Sequence, residues 1–140
     1  MRQNAAQQSP ERPMPDAQPQ QLVLVLEDDP RAAEALTMLL GDWGYQCAHA
    51  AGVDGLLPVM EQRAGEVVAI ISDYHLQGGR TGLEAIEQAR KAGVRAPALL
   101  LTATLRGEAR RAAEAAGHRF MEKPVQADRV KVWLDKAVLR

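Results

Sequence analysis

Runs of apolar residues alternate with amphipathic stretches from residue 22 onward, and this alternation predicts a regular succession of strands and helices. The first run, residues 22–26, is apolar at every position, as in a strand that is covered on both faces. Strands are predicted at 22–26, 45–50, 67–71, 98–101 and around residue 120, and helices at 30–43, 53–63, 83–92, 106–116 and from 127 onward. The pattern therefore indicates five strands alternating with five helices.

Two prolines bear on where the first two predicted helices begin. Asp29 is a favoured N-cap residue, and Pro30 occupies the first helical position, where its missing N–H removes no intrahelical hydrogen bond. Pro58 fits the second helix poorly, because proline in a helix interior costs about 3 kcal/mol. We expect that helix to start later than residue 53 or to be kinked.

The alternation of strands and helices also predicts the architecture. It favours a parallel sheet with helices on both faces, and right-handed crossovers leave few ways to connect such a sheet. We therefore predict a doubly wound α/β domain. In such folds ligands bind in the crevice at the carboxyl ends of the strands, so candidate functional residues should follow directly on the apolar runs.

The first 20 residues differ in composition from the rest of the chain. Pro10, Pro13, Pro15 and Pro19 lie among glutamines and alanines, and such a stretch buries too little apolar surface to offset the entropy of ordering it. We expect a disordered tail or linker over 1–20. Residues 21–140 are long enough to form a single domain with one core that needs no disulfide or structural metal.

Charge and cysteine content narrow the classes of function. A net charge of −1 gives no overall positive field toward nucleic acid or anionic lipid, so direct nucleic-acid binding is not expected. Cys47 is the single cysteine and cannot form an internal disulfide, which is consistent with a reducing compartment. The apolar runs are far shorter than the ~20 residues that span a bilayer, and the N-terminus lacks the apolar core of a signal peptide. These observations predict a cytoplasmic protein without a membrane segment.

Polar residues stand at the predicted carboxyl ends of four strands. They are Glu27, Asp28 and Asp29 after the first strand, Asp73 after the third, Thr102 at the end of the fourth and Lys123 after the fifth. If the sheet forms as predicted, these side chains meet at one edge. Packed carboxylates repel one another, and a hard divalent cation relieves that repulsion. Mg²⁺ fits best, since it takes one or two carboxylates, keeps several waters and bridges to phosphate oxygens.

Four short motifs follow the predicted strands in a fixed order: Glu27-Asp28, Asp73, Thr102-Ala103 and Lys123-Pro124. Together they resemble the receiver domains of bacterial response regulators and hybrid histidine kinases. The similarity runs from about Leu22 to Arg140 and omits only the tail. The resemblance implies a flavodoxin-like sheet with the strand order 2-1-3-4-5.

The resemblance also implies a phosphoacceptor site. Asp73 would be the nucleophile that takes a phosphoryl group from a phosphohistidine. Asp28 and Asp73 would bind Mg²⁺ directly, Glu27 would act largely through water, and the backbone carbonyl of His75 would complete the protein's share. The donor would be a histidine kinase or a histidine phosphotransfer domain. Such a domain signals and is not an enzyme, since it promotes only its own phosphorylation and dephosphorylation.

Three further residues have roles that the resemblance implies. Lys123 would contact the phosphoryl group, and the Lys123-Pro124 bond would be cis, an isomer that only proline makes accessible at low cost. Thr102 would turn its hydroxyl toward the new phosphoryl oxygen, and Phe120 would move inward with it. This switch would change the face around the fourth helix, fifth strand and fifth helix. The fourth helix offers only small side chains on its predicted inner side, Ala109, Ala112, Ala113 and Ala116, which bury little area and hold it weakly.

The loop after Asp73 departs from the common family pattern. Gln77 stands where a proline is usual, and Gly82 lies one position further on than usual. We therefore expect the loop from Tyr74 to Thr81 to be longer and more flexible. This longer loop resembles that of receivers attached to hybrid histidine kinases, and the proline-rich tail suits a linker. Both features favour a piece of a hybrid kinase over a stand-alone regulator.

Other interpretations were weighed against these roles. Asp28 and Asp29 are both good helix caps, and for Asp29 capping is the preferred interpretation. A phosphorylation-independent interaction module on the same fold is the main alternative function. Residues 73–78 also match the DxHxxG pattern of cobalamin-binding domains, but Ser72 is the last serine, so the Ser-x-Leu that this pattern requires is missing. Aspartate-based phosphohydrolases resemble DxD at the nucleophile, whereas Tyr74 and His75 follow Asp73 here.

Overall fold

The protein forms one five-stranded parallel sheet covered by helices on both faces. The computed structural model describes residues 21–104 and 106–139, so the predicted tail over 1–20 lies outside the described residues. The strands are β1 Leu22–Leu26, β2 Gln46–Ala50, β3 Val67–Asp73, β4 Ala98–Thr102 and β5 Arg119–Glu122; the helices are α1 Pro30–Asp42, α2 Leu57–Arg63, α3 Gly82–Lys91, α4 Gly107–Ala115 and α5 Ala127–Val138. The strand order is β2-β1-β3-β4-β5 and all four pairings are parallel, which confirms the predicted fold.

Strand β1 shows why an uninterrupted apolar run is needed at the centre of this sheet. Leu22, Leu24 and Leu26 point to one face and pack in the same cluster as Met60 of α2. Val23 and Val25 point to the other face, toward α1 and α5. All five side chains are buried, as expected for a strand that helices cover on both sides.

The ends of the first two helices follow from their capping residues and prolines. Asp29 caps α1 by accepting a 3.0 Å hydrogen bond from the Arg31 N–H, and Pro30 is the first helical residue. The predicted helix over 53–63 starts later than residue 53, as the position of Pro58 indicated. Residues 53–56 form a 3-10 turn, and α2 begins at Leu57, which places Pro58 in the first helical turn, where no intrahelical bond is lost.

Helix α4 is held by fewer buried side chains than its sequence pattern suggests. Ala113 is buried, Ala109 and Ala112 are half-buried, and Ala116 is exposed, so its predicted place on the inner side is wrong. The last helical residue is Ala115, and Ala116 is the exposed C-cap residue of α4. Among the helices within the described residues, none has the length and apolar character required to cross a membrane.

Candidate phosphoacceptor site

The carboxyl ends of four neighbouring strands bring the predicted residues to one edge of the sheet. Glu27 follows directly on β1, Asp73 is the last residue of β3, Thr102 is the last of β4, and Lys123 follows directly on β5. The β4–β5 register continues past the last strand residue, since the Lys123 N–H donates a 2.7 Å hydrogen bond to the Thr102 carbonyl. Parallel pairing thus places residues that are distant in sequence side by side.

Lys123 joins two carboxylates at the centre of this edge. Its Nζ lies 3.0 Å from Asp73 Oδ1 and 3.1 Å from Glu27 Oε1. Both carboxylate residues are buried, with exposed fractions of 6% for Asp73 and 4% for Glu27, whereas a third of the lysine side chain reaches solvent. The ammonium is therefore shared between two buried carboxyl groups and remains accessible at the mouth of the site.

A third carboxylate completes an acidic cluster. One oxygen from each of Glu27, Asp28 and Asp73 lies within 4.8 Å of the others. Asp28 is exposed, so the cluster is open to solvent on one side. An open set of carboxylate oxygens suits a hard divalent cation that keeps part of its water shell, which is the behaviour of Mg²⁺.

The two buried carboxyl groups, Asp73 and Glu27, have pKa values shifted in opposite directions. Burial and the hydrogen bond with Glu27 raise the pKa of Asp73 to about 7, against the opposing effect of Lys123. Burial also acts to raise the pKa of Glu27, but hydrogen bonds from Asp73, the Asp29 N–H and Lys123 outweigh it, so its pKa lies below the ordinary value. Without a metal, Glu27 is the anion of the pair and Asp73 holds the proton below about pH 7.

Thr102 stands beside the acidic cluster with its hydroxyl bonded to the main chain. The side chain is buried, and its hydroxyl donates a 3.0 Å hydrogen bond to the Thr104 carbonyl. The Thr104 N–H in turn donates to Thr102 Oγ1 at 3.4 Å. Thr102 thus lies at the predicted strand end, and its hydroxyl is hydrogen-bonded to the main chain of Thr104 in the following loop.

The predicted switch aromatic and the predicted cis bond both lie on or next to β5. Phe120 is half-buried against the core, and the guanidinium of Arg110 on α4 lies 5.7 Å from its ring centre. The Lys123-Pro124 bond is cis. The aromatic ring therefore lies in contact with α4, the weakly held helix.

The loop after Asp73 is anchored at both ends. The Tyr74 N–H donates to the Leu101 carbonyl and the Gly82 N–H donates to the Tyr74 carbonyl, both at 2.7 Å. His75 forms an isolated bridge with Thr81, and Tyr74 is buried, whereas the His75 side chain is exposed. The loop, which we expected to be flexible, is thus closed by main-chain hydrogen bonds.

Sequence reasoning missed His49 at this edge and did not foresee the close packing around Gly82. His49, near the end of β2, places its Nε2 2.8 Å from the Glu27 carbonyl and so donates a hydrogen bond to the acidic loop. Gly82 begins α3 so close to the site that a Cβ there would collide with the Asp73 carbonyl, and it would lie 2.6 Å from Leu100 Cδ2 and 2.9 Å from Ser72 Oγ. The position of His49 at a strand end could have drawn attention to it, whereas Gly82 was noted in the sequence only for its shifted place in the family pattern and not for this close packing.

The fold and this site together define a class of protein: a doubly wound α/β domain that presents an acidic cluster and a lysine at the carboxyl edge of its sheet. The chain belongs to the response regulator receiver domain family, whose sequence model matches residues 23–135. Membership gives it a role in two-component signalling, as a domain that signals rather than one classed as an enzyme. No curated protein sequence matches the chain.

Solved structures with the same fold include receiver domains of histidine kinases. The receiver domain of the hybrid histidine kinase CckA is 22% identical, with a TM-score of 0.69, and the match covers 84% of this chain and 98% of that one. The receiver domain of sensor histidine kinase PA1611 from Pseudomonas aeruginosa PAO1, which has a magnesium ion coordinated in its active site cleft, is 22% identical, with a TM-score of 0.75 and coverage of 86% and 99%. The Vibrio cholerae chemotaxis protein CheY4 is 23% identical, with a TM-score of 0.73 and coverage of 84% and 98%. At these identities the likeness supports the fold.

Proposed function

We propose that Asp73 accepts a phosphoryl group from the phosphohistidine of a histidine kinase or a histidine phosphotransfer domain. The observation that carries the proposal is the 3.0 Å contact between Asp73 Oδ1 and Lys123 Nζ inside a cluster of three carboxylates. Asp28, Asp73 and the backbone carbonyl of His75 would bind Mg²⁺, with Glu27 acting through water. The ion would supply positive charge to the phosphoryl oxygens.

In phosphoryl transfer, the residues of this chain would mainly position the reacting groups and stabilise charge. A carboxylate oxygen of Asp73 forms the new bond to phosphorus while the phosphorus–nitrogen bond of the donor histidine breaks. Lys123 already touches the Asp73 oxygen and is partly exposed, so its ammonium is placed to compensate charge on the incoming phosphoryl oxygens. The histidine nitrogen keeps the electron pair of the broken bond and takes a proton from solvent.

The response to phosphorylation would begin at Thr102. Its hydroxyl is bonded to the Thr104 carbonyl, and rotation toward a phosphoryl oxygen would exchange one hydrogen bond for a stronger charge-assisted one. Phe120, on the neighbouring strand, would then move inward and change the face formed by α4, β5 and α5. We place this activity in the cytoplasm, either in a stand-alone regulator or in a hybrid kinase.

The decisive experiment treats the protein with acetyl phosphate, with and without Mg²⁺, and measures intact mass. The wild type gains one phosphoryl group only when Mg²⁺ is present, and Asp73→Asn gains none. Asp42→Asn, which removes an exposed carboxylate of α1 outside the cluster, is the matched control and is modified like the wild type. Unmodified wild type under all conditions would instead favour a phosphorylation-independent interaction module.

A further inference from the structure

A groove crosses the sheet at the edge opposite the acidic cluster. It has a volume of about 760 Å³ and runs from the start of β3 past the start of β4 to β5 and the end of α5. Val67, the first residue of β3, lines it, whereas Asp73 at the far end of the same strand belongs to the acidic cluster. At the rise of a β-strand, the groove and the phosphoacceptor residue are about 20 Å apart.

The charged groups of this groove all carry the same sign. Three separate segments contribute them: Arg90 from the last turn of α3, Arg95 from the approach to β4, and Arg119 from the start of β5. No acidic side chain lines the groove within residues 21–104 and 106–139, and none of these three arginines forms an ion pair with the described acidic residues. A concave surface with one sign of charge focuses the field toward an anionic ligand.

The arginines of the groove act on one another and on the neighbouring His118. Partial burial and the charge of Arg95 lower the pKa of the Arg90 guanidinium. Partial burial and the charge of Arg90 lower the pKa of His118. An anion placed between these groups would relieve their repulsion, so the groove favours a negatively charged occupant.

Helix capping explains only part of this arrangement. Arg90 Nη1 donates to the Val94 carbonyl and Arg95 Nη1 donates to the Arg90 carbonyl, both at 3.1 Å, which stabilises the end of α3. Each guanidinium has five N–H donors, so these bonds leave most of them available. Arg119 makes no side-chain hydrogen bond to the described residues, so capping gives no reason for its charge here.

The shape of the groove favours a polypeptide over a nucleotide. Among the described residues, Trp133 is the only Phe, Tyr or Trp that lines it, and at 8% exposure it offers no face for a base to stack on. The arginines are instead spread along a half-open groove that also has small apolar lining residues, including Ala96 and Pro97. Spaced guanidinium groups along an open path match carboxylates spaced along an extended chain.

We propose that this basic groove binds an acidic segment of a partner polypeptide, with Arg90, Arg95 and Arg119 pairing with its carboxylates. The surface lies at the opposite edge from Asp73 and its use does not require phosphorylation. It would let a partner hold the domain while the phosphoacceptor edge stays free for the donor.

The test is titration of the full chain with a fluorescein-labelled octaglutamate peptide at physiological ionic strength, followed by anisotropy and by NMR of the backbone and arginine side chains. The wild type and Asp73→Asn bind the peptide equally, and the shifted signals include those of Arg119 and His118. The triple variant R90Q/R95Q/R119Q binds roughly tenfold more weakly, the combined effect of three exposed ion pairs. R106Q/R111Q/R129Q changes net charge equally at exposed arginines outside the groove and keeps wild-type affinity.

Other outcomes would overturn the proposal. Equal weakening in both triple variants would mean that the peptide senses net charge alone, and absence of peptide binding alongside binding of duplex DNA or anionic vesicles would assign the surface to another partner. If the triple variant does not fold by circular dichroism, Arg119→Glu replaces it, with Arg129→Glu as its control. Loss of phosphorylation in the acetyl phosphate experiment would leave this test unaffected, because it uses no phosphoryl group.

Discussion

Single residues in this protein are constrained most tightly around Asp73. Its side chain is buried, and the Lys123 ammonium forms ion-pair contacts with both Asp73 and Glu27. Sequence reasoning selected Asp73 and Lys123 because each ends or follows an apolar run, and strand ends are visible in the hydrophobic pattern. It did not find the contact of His49 or the close packing at Gly82, because these depend on strand register and on how closely a loop approaches a helix, which a hydrophobic pattern does not specify.

The Asp73→Asn variant tests the cost of keeping this carboxylate buried. The folded protein holds the Asp73 proton up to about pH 7, whereas the unfolded chain releases it near 3.8. The protonated Asp73 therefore contributes unfolding free energy that is fully present below pH 3.8 and is lost as the pH rises to about 7. The asparagine cannot ionise, so between pH 4 and 7 the metal-free wild type should lose about 3 kcal/mol of unfolding free energy relative to the variant. Urea unfolding in the presence of EDTA measures the difference.

The control for this measurement is Asp42→Asn, which removes an exposed carboxylate of α1. It should keep the wild-type dependence of unfolding free energy on pH. Parallel curves for wild type and Asp73→Asn would show that the buried carboxyl group does not hold its proton in the fold.

Gly82 should be intolerant of any side chain. A methyl group there would meet the Asp73 carbonyl and two neighbouring side chains in the core, so Gly82→Ala should cost about 2–3 kcal/mol of unfolding free energy. Gly41 is the matched control, because it lies in α1 with nothing within 4 Å of an added Cβ. Gly41→Ala should instead stabilise the protein by about 0.5–1 kcal/mol. Equal effects of the two substitutions on urea midpoints would contradict the close packing at α3.

The helices differ in how firmly they are attached to the sheet. Helix α5 buries Val130, Trp133, Leu134 and Ala137, whereas Ala113 is the only buried side chain of α4, whose residues are all described. The weak attachment of α4 was predictable from its alanines, but the exposure of Ala116 was not, because it depends on where the helix ends. In α2, the poor fit of Pro58 correctly indicated a late start, although the pattern could not show that a 3-10 turn precedes it.

Hydrogen exchange should reveal this difference between helices. Amide protons of α4 should exchange at least tenfold faster than those of α5, because local opening exposes less apolar surface. Arg110→Gln should raise exchange in α4 further, since it removes both the contact with the Phe120 ring, worth about 0.5–1 kcal/mol at an exposed site, and the ion pair with Glu114 on the same helix. Mass spectrometry of peptic fragments measures both effects.

Arg111→Gln provides the comparison, because Arg111 is an exposed neighbour on the same helix. Exchange in α4 should stay at the wild-type rate in this variant. Equal protection of α4 and α5 in the wild type would mean that the small buried area of α4 does not determine its stability.

At the scale of the whole molecule, acidic and basic side chains are concentrated at opposite edges of the sheet. A net charge of −1 conceals an acidic cluster at the carboxyl edge of the sheet and a group of arginines at the amino edge. The fold was predictable as a whole because β1, β3 and β4 are apolar enough to require cover on both faces. The basic groove was not, since its arginines come from segments that only the crossovers bring together.

Binding of Mg²⁺ at the acidic edge should stabilise the whole domain. A ligand that binds only the folded state at 100 times its dissociation constant adds about 2.7 kcal/mol, which for a domain of this size raises Tm by about 10 °C. The measurement belongs at pH 8, where Asp73 has lost its proton and can bind the ion. Calorimetry should show this rise for the wild type and for Asp42→Asn, but not for the double variant D28N/D73N. Because the double variant removes two of the three clustered carboxylates, an equal rise in it would mean that Mg²⁺ acts elsewhere on the surface.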